Sequence, residues 1–289
     1  MIELFIEPYL DAFAKLELEL ENVFISSFED LGVLTKHERY NSFRKDIIPL
    51  KKFSNTKSSS ENLWKSLTLI EHDISGFTQD TAKRKEIFEP ICKKTNEIID
   101  LFNLTINHIN ENIEQLFIMI ESSPHGHKEH GKPFQDLVLN FLDMLFIHEL
   151  VRDNFPKTKC RGIRMDGFYE KLDTFNARER TGFEFSKLLI ECKNKKPDIN
   201  DLMQCLKYTL CFQTNEISKV PMTLLVCKNT PGSNSSIWEI NKRIFDRRIA
   251  DETRLILILT VADLREMKEI KLKGGDPAKI IKEKVSTLC

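Results

Sequence analysis

From Thr81 to Glu121 the chain runs without a glycine and with a single proline, Pro90, while Ile87, Ile91, Ile98, Phe102, Ile106, Ile109, Ile113, Leu116 and Ile120 recur at intervals of three, four and seven. That spacing puts the apolar residues on one face of an α-helix, bent if anywhere at Pro90. At 1.5 Å per residue such a helix reaches about 60 Å and needs a partner surface along its stripe. At 289 residues the chain is long enough to bury a full core, as one large domain or two ordinary ones.

The residues before the long helix are also helical in pattern. "PYLDAFAKLELELENVFISSFEDLG" supports a helix ending near Gly32, "KKFSNTKSSSEN" reads as a polar, Ser-rich linker, and Ser60 with Glu61 opens a helix over "ENLWKSLTLIEHDISGF". Charge separates this part from the rest. Residues 1–122 carry 14 Lys and Arg against 21 Asp and Glu, whereas residues 123–289 carry 29 against 23. The expected organisation is therefore an acidic helical domain over 1–122 and a second domain over 123–289. The helices either form an intramolecular bundle or serve dimerisation or partner binding, and no residue in them suggests chemistry.

The basic part alternates between periods. "KPFQDLVLNFLDMLFIHELVRDNF" reads as an amphipathic helix, "CRGIRMDGFYEKL" and "FEFSKLLIECKN" as strands, and "DINDLMQCLKYTLCF" as a helix capped by Asp198. "KVPMTLLVCKN" and "RLILILTV" follow as strands, with "SIWEINKRIFDRRIADE" a helix between them and "DPAKIIKEKV" a helix at the end. The expected fold class is α/β, a small sheet with helices on its faces, preceded by an all-α domain.

Two adjacent strands, one carrying Asp166 and the next carrying Glu191 and Lys193, bring three charged side chains to one edge of that sheet. Glu191 and Lys193 share a strand face, and Cys192 between them points to the core. Two carboxylates from neighbouring strands make a hard-oxygen site suited to Mg²⁺ or Mn²⁺. A lysine beside them can orient or help deprotonate an attacking water and offset phosphate charge, which is the chemistry of metal-assisted phosphodiester hydrolysis.

In these residues the chain resembles the PD-(D/E)xK nuclease superfamily and its restriction-endonuclease-like fold. Asp166 with Gly167, then Glu191, Cys192 and Lys193, match the name-giving motif, and Gln204 to Tyr208, "QCLKY", resembles the QxxxY element of RecB-type members. The resemblance spans residues 131 to about 270. It implies Asp166 and Glu191 as ligands of Mg²⁺ or Mn²⁺ with the carbonyl of Cys192, Lys193 as the residue that positions water, and Gln204 and Tyr208 as shapers of the site. Arg164, Asn194, Lys195 and Lys196 are the expected phosphate contacts, with Arg161, Lys242, Arg243, Arg247 and Arg248 extending a basic surface. One departure stands out: the opening helix holds Gln135 where many members carry a metal-binding Glu, leaving Asp136 or Glu149 to substitute.

The resemblance implies a nuclease acting on DNA, in keeping with restriction or antiviral effectors of prokaryotes, and working as a homodimer or with a partner protein. Three other readings stay open: a non-catalytic nucleic-acid-binding module that recruits a partner through its helices, an RNA-cleaving toxin, and a helical scaffold whose α/β part is merely structural. "HGHKEHG", with His125, His127 and His130, reads as a connector between the two parts. The seven cysteines form no CxxC pair and are expected to be free thiols. No Walker-type loop, GxSxG or HExxH pattern occurs. No apolar run approaches the roughly 18 to 20 residues of a membrane span, and the N-terminus lacks a basic flank, so the expected location is the cytoplasm.

Overall fold

Helix α1, Ile2–Glu29, presents Phe13, Leu20, Phe24 and Phe28 at helical spacing, and all four are fully buried. In this computed structural model residues 2–53, 56–124, 128–147, 150–152, 165–172, 184–212, 219–232, 235–246 and 255–288 are described. The helix ends where the sequence indicates. Gly32 takes φ +70°, and the bonds Gly32 N–H to Glu29 O and Val33 N–H to Phe28 O close its last turn.

Three further elements complete the first compact unit, Met1–Glu111: α2 (Lys36–Ile47), a 3₁₀ turn (Ile48–Lys52) and α3 (Thr56–Phe77), together with much of α4 (Thr81–Ser122). Helix α3 starts four residues before Ser60, so the second half of the expected linker is helical. Aromatic rings fill the interior, with Phe24 stacked on Phe28 at 4.7 Å and Phe53 stacked on Phe102 at 6.5 Å. Glu17 occupies the apolar stripe of α1 and is buried. Burial pushes its carboxyl up, but bonds from Lys51 and Arg44 outweigh that and hold it below the ordinary glutamate value.

Helix α4 is 42 residues long and contains Pro90, as the periodicity requires. The division between the two compact units falls inside it. In the second unit, Asn112–Cys289, come α5 (Lys128–Leu145), β1 (Leu150–Arg152), β2 (Gly167–Leu172), β3 (Glu184–Lys193) and α6 (Ile199–Cys211). They are followed by β4 (Lys219–Cys227), α7 (Ser236–Asp246), β5 (Leu255–Thr260), α8 (Val261–Leu272) and α9 (Ala278–Leu288). Residues 150–152, expected at the end of the opening helix, form a short strand instead. Val151 in that strand pairs with Lys171, and ladder bonding there overrides an amphipathic pattern that both structures satisfy locally.

The sheet is mixed, in the order β1-β2-β3-β4-β5. β1, β2 and β3 run antiparallel, while β3, β4 and β5 run parallel. Parallel neighbours require crossovers, and α6 and α7 supply them. Leu202 and Cys205 of α6 pack with Leu225 and Cys227 of β4, Ile237 of α7 and Ile256 and Ile258 of β5. β5 is buried at every residue, as expected of a strand covered on both faces. On the opposite face, α5 packs on β3. Gly167 marks the closest approach: a Cβ there would lie 2.6 Å from Leu139 Cδ2 and 3.3 Å from Ile190 Cβ.

Among the described residues, no helix is long and apolar enough to cross a membrane. Cys92, Cys192, Cys205 and Cys227 are free thiols. The expectation of seven free thiols fails at Cys211, which is disulfide-bonded. Arg161, Arg164, His125, His127, Glu149, Arg247 and Arg248 lie outside the described residues.

Candidate active site

The end of β3 and the start of α6 are joined by a short polar connection through Lys195 and Pro197. The N-cap of α6 is Asp198, whose carboxylate accepts from Asp201 N–H at 3.1 Å, while Asp201 accepts from Asp198 N–H at 2.9 Å. This reciprocal capping fixes the first turn of the helix and therefore the direction of every side chain along it. Asp201, Gln204 and Tyr208 stand at i, i+3 and i+7, one face of α6. That face meets the charged side of β3.

Four side chains close a hydrogen-bonded circuit there. Lys193 Nζ lies 2.6 Å from Glu191 Oε1 and donates to Gln204 Oε1 at 3.2 Å. Gln204 Nε2 donates to the Tyr208 hydroxyl at 2.5 Å, and that hydroxyl donates to Glu191 Oε2 at 2.8 Å. Each donor and acceptor is used in its natural sense, so the circuit satisfies two buried residues, Glu191 and Tyr208, that would otherwise be costly to bury. Both oxygens of Glu191 are thereby oriented.

Electrostatics follow from the burial. Burial disfavours the Lys193 ammonium, yet its bond to Glu191 and the charges of Asp201 and Asp166 outweigh that, holding Lys193 above the ordinary lysine value. Burial and the charge of Glu191 push the Tyr208 hydroxyl well above the ordinary tyrosine value, which keeps it a neutral donor. Behind it, Tyr208 packs with Phe168, Leu189 and Phe212.

Asp166 precedes β2 and is tied to β3 twice. Its backbone N–H donates to Ile190 O at 3.0 Å, and its Oδ2 accepts from Cys192 N–H at 2.7 Å. Burial and the charge of Glu191 raise its carboxyl to about 6, against the partial opposition of the Cys192 bond and Lys193. Asp136 on α5 adds a further like charge. Asp136, expected as a substitute at the opening helix, is thus close enough for its charge to act on Asp166, while Glu149 lies outside the described residues.

These atoms suit a hard divalent cation. Cys192 N–H faces Asp166, whereas Lys193 O faces β4 and accepts from Lys228 N–H at 2.9 Å. Backbone alternation then directs the Cys192 carbonyl to the Asp166 side. Two carboxylates that repel one another, with a carbonyl on the same edge, form an oxygen set that a cation would relieve. Among the described residues no group of three His, Cys, Asp or Glu side chains gathers as a metal site, so this set depends on the main-chain oxygen.

The remaining expected residues divide. Cys192 is buried, as a core thiol should be, and burial raises its pKa. Asn194, expected at phosphates, is buried and donates to the carbonyl of Pro124, so it fastens the strand end instead of facing solvent. Lys195 is exposed but committed to Asp198 at 2.6 Å and Asp201 at 3.0 Å. Lys196 is exposed.

Two residues were not anticipated. Asp201 approaches Lys193, and its signal in the sequence is the capping-box spacing from Asp198. Lys228, buried just past β4, donates to the carbonyls of Ile120, Glu121 and Ser123 at the end of α4, and nothing in a lysine following a strand announces that partner.

No family model, curated protein or solved structure matches this chain.

Proposed function

We propose that this protein is a metal-dependent nuclease of the PD-(D/E)xK type that hydrolyses phosphodiester bonds in DNA. The observation that carries the reading is the closed circuit of Glu191, Lys193, Gln204 and Tyr208 with Asp166 tied to Cys192 beside it. It joins the two parts of the motif, E-x-K on a strand and QxxxY on the following helix, through direct hydrogen bonds. The element order α5, β1, β2, β3, α6, β4, with the first three strands antiparallel and β4 parallel to β3, supports a restriction-endonuclease-like core.

In this reading Asp166, Glu191 and the Cys192 carbonyl hold Mg²⁺ or Mn²⁺. The bound ion supplies Lewis acidity to the phosphate and lowers the pKa of water. Lys193 is held as an ammonium by Glu191 and Asp201 beside it. It donates to the attacking water or to a phosphate oxygen and offsets the negative charge that grows during attack. Tyr208 and Gln204 keep Glu191 and Lys193 aimed, and Lys196 meets the polymer backbone. A role in prokaryotic restriction or antiviral defence, and action as a homodimer or with a partner protein, follow from the resemblance of the motif.

The test is cleavage of linear duplex, circular duplex, single-stranded DNA and RNA with Mg²⁺ or Mn²⁺, comparing the unmutated protein with Asp166→Ala and Lys193→Ala. Cutting of DNA that both substitutions abolish is the expected result. Survival of every polymer with either metal, in a protein that also fails to bind Mg²⁺, overturns the reading in favour of a non-catalytic binding module.

A further inference from the structure

Asp201 is a carboxylate for which the proposed chemistry assigns no task. It is 5% exposed. Its Oδ2 accepts from Asp198 N–H at 2.9 Å and lies 3.0 Å from Lys195 Nζ, while its Oδ1 lies 3.6 Å from Lys193 Nζ. A helix cap alone does not need to be buried, and a buried carboxylate is costly unless cations face it. Two lysines do so here, from opposite ends of one carboxylate.

We propose that Asp201 is a positioning residue for Lys193, the counter-charge on α6 that keeps the ammonium in place independently of Glu191. This inference rests on the nuclease reading for its catalytic consequence, though not for the contact itself. Glu191, at 2.6 Å, and Gln204, at 3.2 Å, take the close contacts of the Lys193 ammonium, and Asp201 faces it at ion-pair distance, 3.6 Å. Glu191 belongs to the oxygen set for the cation, and any commitment of its charge there weakens its hold on the ammonium. Gln204 is neutral. Asp201 is the anion whose own place depends only on the capping of α6 and on Lys195, so its attraction for Lys193 persists when that of Glu191 is drawn away. Lys195 and Asp198, 2.6 Å apart at the rim, form the outer layer that holds Asp201 still.

The experiment compares the unmutated protein with Asp201→Asn, Asp201→Glu and Lys195→Met. Asp201→Asn keeps an oxygen for Asp198 N–H, so the cap survives while the charge is lost. The first readout is acylation of Lys193 by an amine-reactive ester, followed by peptide mass spectrometry. Slow labelling in the unmutated protein, labelling several-fold faster in Asp201→Asn and slow labelling again in Asp201→Glu are expected, with an intermediate rate in Lys195→Met. The second readout is steady-state cleavage, where Asp201→Asn lowers kcat about 10- to 100-fold with KM for the polymer unchanged. Labelling of Lys193 that does not change in Asp201→Asn overturns the proposal, whatever the activity does. So does equal acceleration in Asn and Glu variants that have lost thermal stability alike, which marks a purely structural cap. If the unmutated protein cleaves no polymer and binds no Mg²⁺, the nuclease reading fails and the labelling alone decides the role of Asp201.

Discussion

The carboxylate of Asp166 accepts a hydrogen bond from the backbone N–H of Cys192 at 2.7 Å. The residue just before β2 is therefore locked to the residue between Glu191 and Lys193, and the spacing of the two carboxylates is set by main chain as well as by side-chain rotamers. That lock holds like charges together, and the Asp166 carboxyl is raised to about 6 as a result of burial and of Glu191.

A pH dependence follows for the metal-free protein. Because the folded carboxyl holds its proton more tightly than the unfolded one, whose ordinary value is 3.8, its contribution to stability is fully present below that value and lost as pH rises through about 6. Thermal melts in chelator should show Tm falling across this window. Asp166→Asn, which keeps an acceptor for Cys192, should flatten that part of the profile. Mg²⁺ should bind weakly below about pH 6 and more tightly above it, as titration calorimetry across the range will show.

Gly167 is required by the approach of α5. Gly167→Ala places a methyl group 2.6 Å from Leu139 Cδ2, in a core where Leu139 is buried, and should cost about 1–3 kcal/mol in urea unfolding. Adding Leu139→Ala should restore less than it removes alone, yet the double variant should be more stable than the sum of the two single losses implies.

The circuit of four side chains should behave as a unit. Tyr208→Phe strips a donor from Glu191 and should lower cleavage by about 10- to 100-fold while leaving the fold intact. Gln204→Met breaks the circuit at two bonds at once, to Lys193 and to Tyr208. Combining the two should cost less than the sum, with a coupling of about 0.5–3 kcal/mol in a double-mutant cycle read on kcat/KM. Additive losses would show that the bonds act separately.

Lys228 caps the last turn of α4 from the end of β4, with its ammonium 2.6 Å from Ile120 O and Glu121 O and 3.0 Å from Ser123 O. Cations are favoured at helix C-termini, and this one also satisfies carbonyls that have no partner within the helix. Lys228→Met should destabilise the protein by about 1.5–3 kcal/mol. Hydrogen exchange should locate the loss in the amides of the last turns of α4, whose carbonyl ends Lys228 holds.

Several features were legible in the sequence because their causes are local. The length of α4 follows from uninterrupted helical spacing, the start of α6 from Asp198 after Pro197, and the buried β3, β4 and β5 from short apolar runs bounded by polar connections. The pairing of Glu191 and Lys193 on one strand face needed only the two-residue period of a strand, and that of Gln204 and Tyr208 only the turn of a helix. Residues 150–152 are not legible as a strand because the same amphipathic segment satisfies a helix until β2 is present to bond with it. The burial of Asn194 is not legible either, because a polar residue beside lysines looks solvated until Pro124 is brought against it.

What the tertiary structure decided is which local pieces meet. Asp166 and Cys192 are 26 residues apart in the chain, Lys228 and Ile120 are 108 apart, and neither bond has a local signature. The sequence by itself determined the periods, the caps and the charged residues at the end of β3. Only folding assigned partners to those charges, because the energy of a buried carboxylate or ammonium depends on what stands within about 4 Å of it, and that is a property of packing.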